Sequence, residues 1–231
     1  MKPKISVLMS TFNNENYLKE AISSVLKQTY KNFELIIIDD ASIDKTPQIL
    51  RRIKDKRVRI FRNKKNIGLA KSLNLGLKKA KGELIARCDS DDINIPSRFE
   101  KQVRFLDKNR DYILVGSNFD IIDTNGKEIG GVTLPESDKE IRRKIIIRNP
   151  ILHPAIIYRR KRILGIGGYR EFFNGAEDYD LFFRCLKVGK IHNLQENLVR
   201  RRWHSDAITR KKHLKIEFIA LIVRLVNLFN L

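Results

Sequence analysis

Between residues 5 and 88 the chain alternates short extended runs with segments of helical spacing, and this alternation restricts the fold more than any bulk property does. Residues 5–9, 33–38, 58–61 and 84–88 read as strands rich in Ile, Leu, Val and Phe. Between the first two, Leu18, Ala21, Ile22, Val25 and Leu26 recur at helical spacing. Thr46-Pro47 supplies the cap and first residue of a second helix, and residues 69–80 form a third, stopped by Gly82. Pro96 opens another helix. Such alternation predicts an α/β fold with a Rossmann-like, mainly parallel sheet flanked by helices. Open sheets of this kind bind ligands at the carboxyl ends of their strands.

Past residue 110 the pattern changes. Residues 121–126 read as a strand entering a hairpin turn at Asn125-Gly126. Ser137 and Glu140 have the spacing of a capping box. Residues 155–158 and 198–203 are further strands, and Glu177-Asp178 opens a helix that runs to Lys187 and ends at Gly189. From residue 211 to 231 one helical pattern is apolar over most of its circumference, with His213, Glu217, Arg224 and Asn227 in a narrow polar stripe. Arg210, Lys211, Lys212 and Lys215 cluster at its start, the composition of a helix lying in a membrane interface. A helix docked on the body, or on a partner chain, fits the same pattern.

Three acidic groups follow strands or open a helix: Asp39-Asp40, Asp89-Ser90-Asp91-Asp92 and Glu177-Asp178. In an extended segment Asp89 and Asp91 point the same way. Two such oxygens suit Mg²⁺ or Mn²⁺, which keep their other positions for water and phosphate. A solvated acidic turn is the plain alternative for any one group. Three groups, two of them after neighbouring parallel strands, are better explained by one shared crevice.

The chain carries 47 Lys and Arg against 27 Asp and Glu, a net charge of +20. Residues 139–231 hold 21 of those cations and only 8 of the acids. Such a charge serves a nucleic acid, an anionic membrane or a phosphate-rich substrate. A nucleic-acid module lacks support, because there is no zinc-type spacing, no aromatic RNA-binding run and no evident recognition helix. Cys88 and Cys185 lie far apart in apolar patterns, as reduced core thiols do, and the first strand begins too early for a signal peptide. The longest apolar run, residues 218–223, is too short to span a bilayer. The expected location is cytoplasmic, with peripheral contact to the inner face of an anionic membrane.

In order along the chain, Val7-Leu8-Met9-Ser10-Thr11-Phe12-Asn13, Asp39-Asp40-Ala41-Ser42-Ile43-Asp44, Asn66-Ile67-Gly68, Asp89-Ser90-Asp91-Asp92 and Glu177-Asp178-Tyr179-Asp180-Leu181 resemble the motifs of family 2 glycosyltransferases. These are inverting enzymes of GT-A fold that use nucleotide-diphospho-sugars. The resemblance covers roughly residues 4–205, and residues 1–210 are taken as the GT-A domain, with 211–231 as the appended amphipathic helix. It implies that Thr11, Phe12 and Asn13 meet the base and ribose, with Asn66 and Ser90 also on the nucleotide. It implies that Asp40 accepts from the imide N–H of uracil, favouring a UDP donor, while Asp39 orients the loop. Asp91 becomes the direct metal ligand, and Asp89 a ribose or water-mediated metal contact. Asp178 becomes the general base for an acceptor hydroxyl of a glycan or lipid-linked acceptor, with Glu177 holding the acceptor or supporting Asp178. His204 reaches the metal or diphosphate, His153 shapes the acceptor side, and Arg202 competes with Arg200 and Arg201 to hold phosphate.

Two positions depart from the pattern. Leu73 stands where many relatives carry an arginine for the nucleotide, and Ala41 stands where the Asp-Asp-Gly-Ser motif has glycine. Two alternatives to an active transferase are a basic nucleic-acid-binding protein and a catalytically inactive scaffold. A sugar-nucleotide pyrophosphorylase is rejected, because residues 10–14 contain no glycine to form its phosphate loop.

Overall fold

A computed structural model describes residues 2–204 and 213–228. The first half follows the predicted alternation: β1 (Ile5–Thr11), α1 (Leu18–Leu26), β2 (Phe33–Asp39), α2 (Thr46–Arg51), β3 (Val58–Arg62), α3 (Leu69–Lys79) and β4 (Leu84–Arg87). These four strands are parallel in the order β3-β2-β1-β4. Side chains alternate across the sheet, so Ile5, Val7 and Met9 of β1 pack with α1 and the later α4 (Arg98–Lys108), whereas Leu8 packs with α3 on the other face. Gly82 lies in the turn into β4, where a Cβ would come 2.5 Å from the Ser6 nitrogen, so the close approach of two backbones requires glycine.

The second half is mixed. It comprises β5 (Ile93–Asn94), β6 (Tyr112–Ile122), β7 (Glu128–Val132), α5 (Asp138–Ile145), β8 (Ile157–Arg159), α6 (Arg160–Gly165), α7 (Glu177–Val188), β9 (Lys190–Arg202) and α8 (His213–Leu228). The sheet continues β4-β8-β6-β9-β5, with β8 antiparallel to β4 and β6 parallel to β9. The short β5 pairs with the far end of β9, at Val199 and Arg200, which brings the last strand against the loop after β4. Helices α3, α5, α6, α7 and α8 share one face of the sheet, and α1, α2 and α4 the other.

Several local expectations shift. Thr46 is not the cap of α2: Lys45 takes that position without a side-chain cap, Thr46 lies in the first turn, and Asp44 Oδ1 accepts the Thr46 N–H in an Asx contact. The last strand begins at Lys190 rather than residue 198, because pairing with β6 extends it. Helix α6 is a further short element outside the expected set. The capping box at Ser137 and Glu140 is present, and Gly126 takes the left-handed φ of +84° in the β6–β7 turn. In α8 the predicted polar stripe is broken, since Asn227 is buried against the body. Arg210, Lys211 and Lys212 lie outside the described residues, as does the side chain of Lys215.

Candidate active site

The loops after β1 and β2 are knitted together by short polar side chains. Asn13 takes φ of +49°, its N–H donates to Ser42 Oγ, and its Oδ1 accepts from the Ile43 N–H. The Asn14 N–H donates to Thr46 Oγ1, and its Nδ2 donates to Ser90 Oγ at 2.8 Å. That last bond ties the loop of Thr11, Phe12 and Asn13 to the acidic loop after β4. Phe12 is half exposed at this edge, while Thr11 is buried at the end of β1 and its carbonyl accepts from the Asp40 N–H.

Asp39 closes its own turn, accepting from the Ser42 N–H at 2.9 Å. Asp40 reaches the loop after β3. Its Oδ1 accepts from Asn63 Nδ2 and the Ile67 N–H, and its Oδ2 from the Gly68 N–H. Three donors leave a carboxylate with about one open lone pair, so any uracil N–H shares Asp40 with this loop. Asn66 is exposed in the same loop. Leu73, in place of the nucleotide-binding arginine, is buried in the core.

Strand β4 delivers the acidic loop. Asp89, Asp91 and Asp92 each present an oxygen within 4.8 Å of the others. From the sequence Asp92 belongs to the acidic cluster but has no role of its own. It is buried, its Oδ1 accepts from the Arg202 N–H, and its Oδ2 makes no hydrogen bond. Burial, then the charges of Asp91 and Asp89, push its carboxyl well above the usual carboxylate range. An all-oxygen donor set with one orphaned buried carboxylate oxygen fits a hard divalent cation such as Mg²⁺ or Mn²⁺. His204 Nε2 lies 3.0 Å from Asp91 Oδ2, with the imidazole against Tyr17 and its Nδ1 buried without a partner.

The phosphate role considered for Arg202 is not supported. Its guanidinium donates to Glu20 and to the carbonyls of Asp91, Asp123 and Thr124, and it lies over the Tyr17 ring. These four hydrogen bonds are to structural partners, so Arg202 fastens the acidic loop to β9.

The third acidic group sits at the start of α7. Glu177 and Asp178 occupy the first turn, where the helix dipole favours negative charge. Asp178 accepts from Asn149 Nδ2 at 3.0 Å and from the Tyr179 N–H, yet burial still raises its carboxyl above the ordinary value. Glu177 is 4% exposed and accepts from the Gly175 N–H. Burial, then the Asp178 charge, push its carboxyl up to about 7. Asn149 carried no signal in the sequence. Asp180, one turn on, is a structural partner of Arg184.

Arg87, at the end of β4, connects the second and third acidic groups. It is fully buried, donates to Asp89 at 2.6 Å, and its charge acts on Glu177 and Asp178. The first group reaches the third through the Asp40-bound loop, since a Cβ on Gly68 would meet Asn174 at 3.3 Å, just before α7. Contacts therefore link the three groups along the carboxyl edge of the sheet. Nearby in the core His153 Nε2 lies 3.0 Å from the Tyr169 hydroxyl, and Asn74 binds both backbone groups of Tyr169. Burial and Arg87 push the His153 imidazole well below its usual range, so it is neutral.

The model of the glycosyl transferase family 2 matches residues 6–165. The putative glycosyltransferase EpsE of Bacillus subtilis is 39% identical over 215 residues, covering 90% of this chain and 76% of that protein. The amylovoran biosynthesis glycosyltransferase AmsE of Erwinia amylovora is 30% identical over 212 residues, covering 90% and 79%. Among solved structures, Staphylococcus aureus TarS 1–349 in complex with UDP-GlcNAc superposes with a TM-score of 0.75 at 24% identity, over 95% of this chain and 66% of that one. The mannosyltransferase PcManGT of Pyrobaculum calidifontis, in complex with GDP-Man and Mn²⁺, gives 0.72 at 16% identity, over 100% and 65%. The chain thus spans about two thirds of the solved chains it matches, and that likeness concerns the GT-A fold.

Proposed function

Since the chain belongs to glycosyl transferase family 2, we propose that it is a metal-dependent, inverting hexosyltransferase. It moves a sugar from a UDP-linked donor to a hydroxyl of a glycan or lipid-linked acceptor in cell-surface polysaccharide synthesis, working at the inner face of a membrane. The observation that carries this reading is the meeting of the Asp89, Asp91 and Asp92 cluster with Glu177 and Asp178 around the buried Arg87. The relatives named for polysaccharide synthesis, and the solved neighbours holding UDP-GlcNAc or GDP-Man with Mn²⁺, support it.

In this reading the loop of Thr11, Phe12 and Asn13 receives the base and ribose, beside Asp40 and Asn66. Asp91 with Asp89 and Asp92, and His204 alongside, would hold Mg²⁺ or Mn²⁺. That cation, when bound, neutralises charge building on the departing diphosphate. Asp178 accepts the proton of the acceptor hydroxyl as its oxygen attacks the anomeric carbon from the face opposite the diphosphate. One displacement inverts the anomeric centre and needs one base. Asn149 aims that carboxylate. Glu177, its carboxyl pushed up to about 7 by burial and the Asp178 charge, carries a proton part of the time near neutrality, which lessens the repulsion on an ionised Asp178.

A thermal-shift screen of nucleotide-sugars with and without Mn²⁺ tests the reading. A UDP-sugar at a hundred times its Kd stabilises by about 2.7 kcal/mol, a shift of roughly 5–10 °C in a chain of this size. The shift requires the cation. Absence of any nucleotide effect, together with nucleic-acid affinity that falls steeply with salt, contradicts the reading.

A further inference from the structure

Helix α8 is docked by one face only. Inward, Ile219, Ala220 and Ile222 pack on the core, Val223 is fully buried, and Asn227 Nδ2 lies 3.5 Å from Asp180 of α7. At its first turn Ile216 stands where a Cβ on Gly175 would meet it at 3.3 Å. Gly175 in turn donates its N–H to Glu177. The helix therefore rests on the loop and the helix that carry Glu177 and Asp178.

The outward face has opposite character. Phe218, Leu221 and Leu225, at i, i+3 and i+7, are 64, 46 and 49% exposed. The apolar strip continues past the helix. Arg224 donates to the Ile147 carbonyl at 2.8 Å, and Ile146 and Ile147, just after α5, are 44 and 64% exposed. A soluble monomer seldom leaves so many large apolar groups together. Two cations adjoin the strip, Arg224 at the Ile147 carbonyl and the exposed Arg148 next in the chain, and α8 also carries the exposed acid Glu217. No described helix is long and apolar enough to cross a membrane. An apolar strip edged by cations, on a chain of net charge +20, complements an anionic bilayer surface, where apolar groups enter the acyl boundary and cations meet the headgroups.

We propose that α8, together with Ile146 and Ile147, seats the protein on anionic lipid and thereby steadies the loop from Glu171 to Asp178 through Ile216 and Asn227. The proposal rests on the reading of Asp178 as base, and it gives a lipid-linked acceptor a defined route, since the helix that meets the membrane also buttresses the base.

The test uses the full chain with phosphatidylcholine vesicles, with and without phosphatidylglycerol. Co-sedimentation reads binding, and hydrogen exchange reads residues 171–180. Binding is expected only with phosphatidylglycerol, weakening as salt rises. The combined variant Phe218→Glu, Leu221→Glu, Leu225→Glu should lower lipid affinity at least about 100-fold, and Ile147→Glu, on a separate segment, should weaken it in the same direction. Lipid should slow exchange at 171–180 in the unaltered protein. Binding indifferent to both variants overturns the proposal, as does a concentration-dependent dimer that the same substitutions abolish, which would assign the face to a second copy. Binding without slower exchange at 171–180 overturns the coupling to the base. Stabilisation by a UDP-sugar with Mn²⁺, measured on the same samples, separates the two readings: if it persists while lipid binding fails, only this proposal falls.

Discussion

The acids that follow β2 and the acids that open α7 are held in different ways. On the donor side Asp39 and Asp40 are answered by the N–H groups of Ser42, Ile67 and Gly68 and by the Asn63 amide. On the acceptor side the buried Glu177 and the partly buried Asp178 lie next to each other, and the Arg87 guanidinium, whose charge acts on both, is hydrogen-bonded to Asp89 instead. Satisfied carboxylates shape a binding surface and resist change. Under-compensated ones hold protons at unusual pH, the condition for general acid–base work. Asp92, buried with one oxygen unpartnered and its carboxyl also raised, shares the condition of the α7 acids, so the metal cluster and α7 hold the reactive carboxylates while Asp40 shapes the nucleotide loops.

The largest effect comes from breaking the donor side at its metal position. Asp91→Ala removes an oxygen from the carboxylate cluster and the partner of His204. Cation-dependent stabilisation by the donor should vanish, and transfer should fall on the order of 10³-fold. Donor titrations with and without Mn²⁺ check it.

A smaller effect sharpens the acceptor side. Glu177 has its carboxyl raised from 4.5 to about 7, so between those values the folded state binds more protons than the unfolded chain. Stability from this group is therefore fullest below its unfolded value and is lost as pH rises through its folded one, by something of the order of 3 kcal/mol. Glu177→Gln removes that dependence, so unfolding temperatures measured across this window should slope downward in the unaltered chain and run flatter in the variant.

The smallest effect lies in the turn after β2. Ala41 takes φ of +66°, a left-handed conformation that costs a residue with a Cβ about 1–2 kcal/mol, while glycine adopts it freely. After the entropy glycine loses on folding, Ala41→Gly should stabilise by roughly 0.5–1 kcal/mol without changing donor affinity. Chemical denaturation measures it.

The same division governs what could be read from the chain. The parallel strands β1 to β4, their helices and the acids that follow them are local patterns, so Asp40, Asp89, Asp91 and Asp178 were legible as candidates. Partners brought from far away were not. Asn149 meets Asp178 across 29 residues, and Asn74 meets Tyr169 across 95. No periodicity announces such pairs. Arg87 reads as an ordinary strand residue until burial shows it between two acidic groups. Arg202 misled for the converse reason: its charge suggested phosphate, while the fold surrounds it with carbonyls and Glu20. The amphipathic pattern of α8 was visible, but which of its faces meets the body depended on Val223 and Asn227.

The division of labour between the two sides is tested most directly with Asp178→Asn, which keeps the shape of the side chain and removes its basicity. Measured in parallel, donor stabilisation in the presence of Mn²⁺ should match the unaltered protein, while sugar transfer should drop about 10²–10⁴-fold. Transfer within a few-fold of normal, or loss of donor binding along with it, contradicts the assignment of the proton-accepting role to the acceptor side.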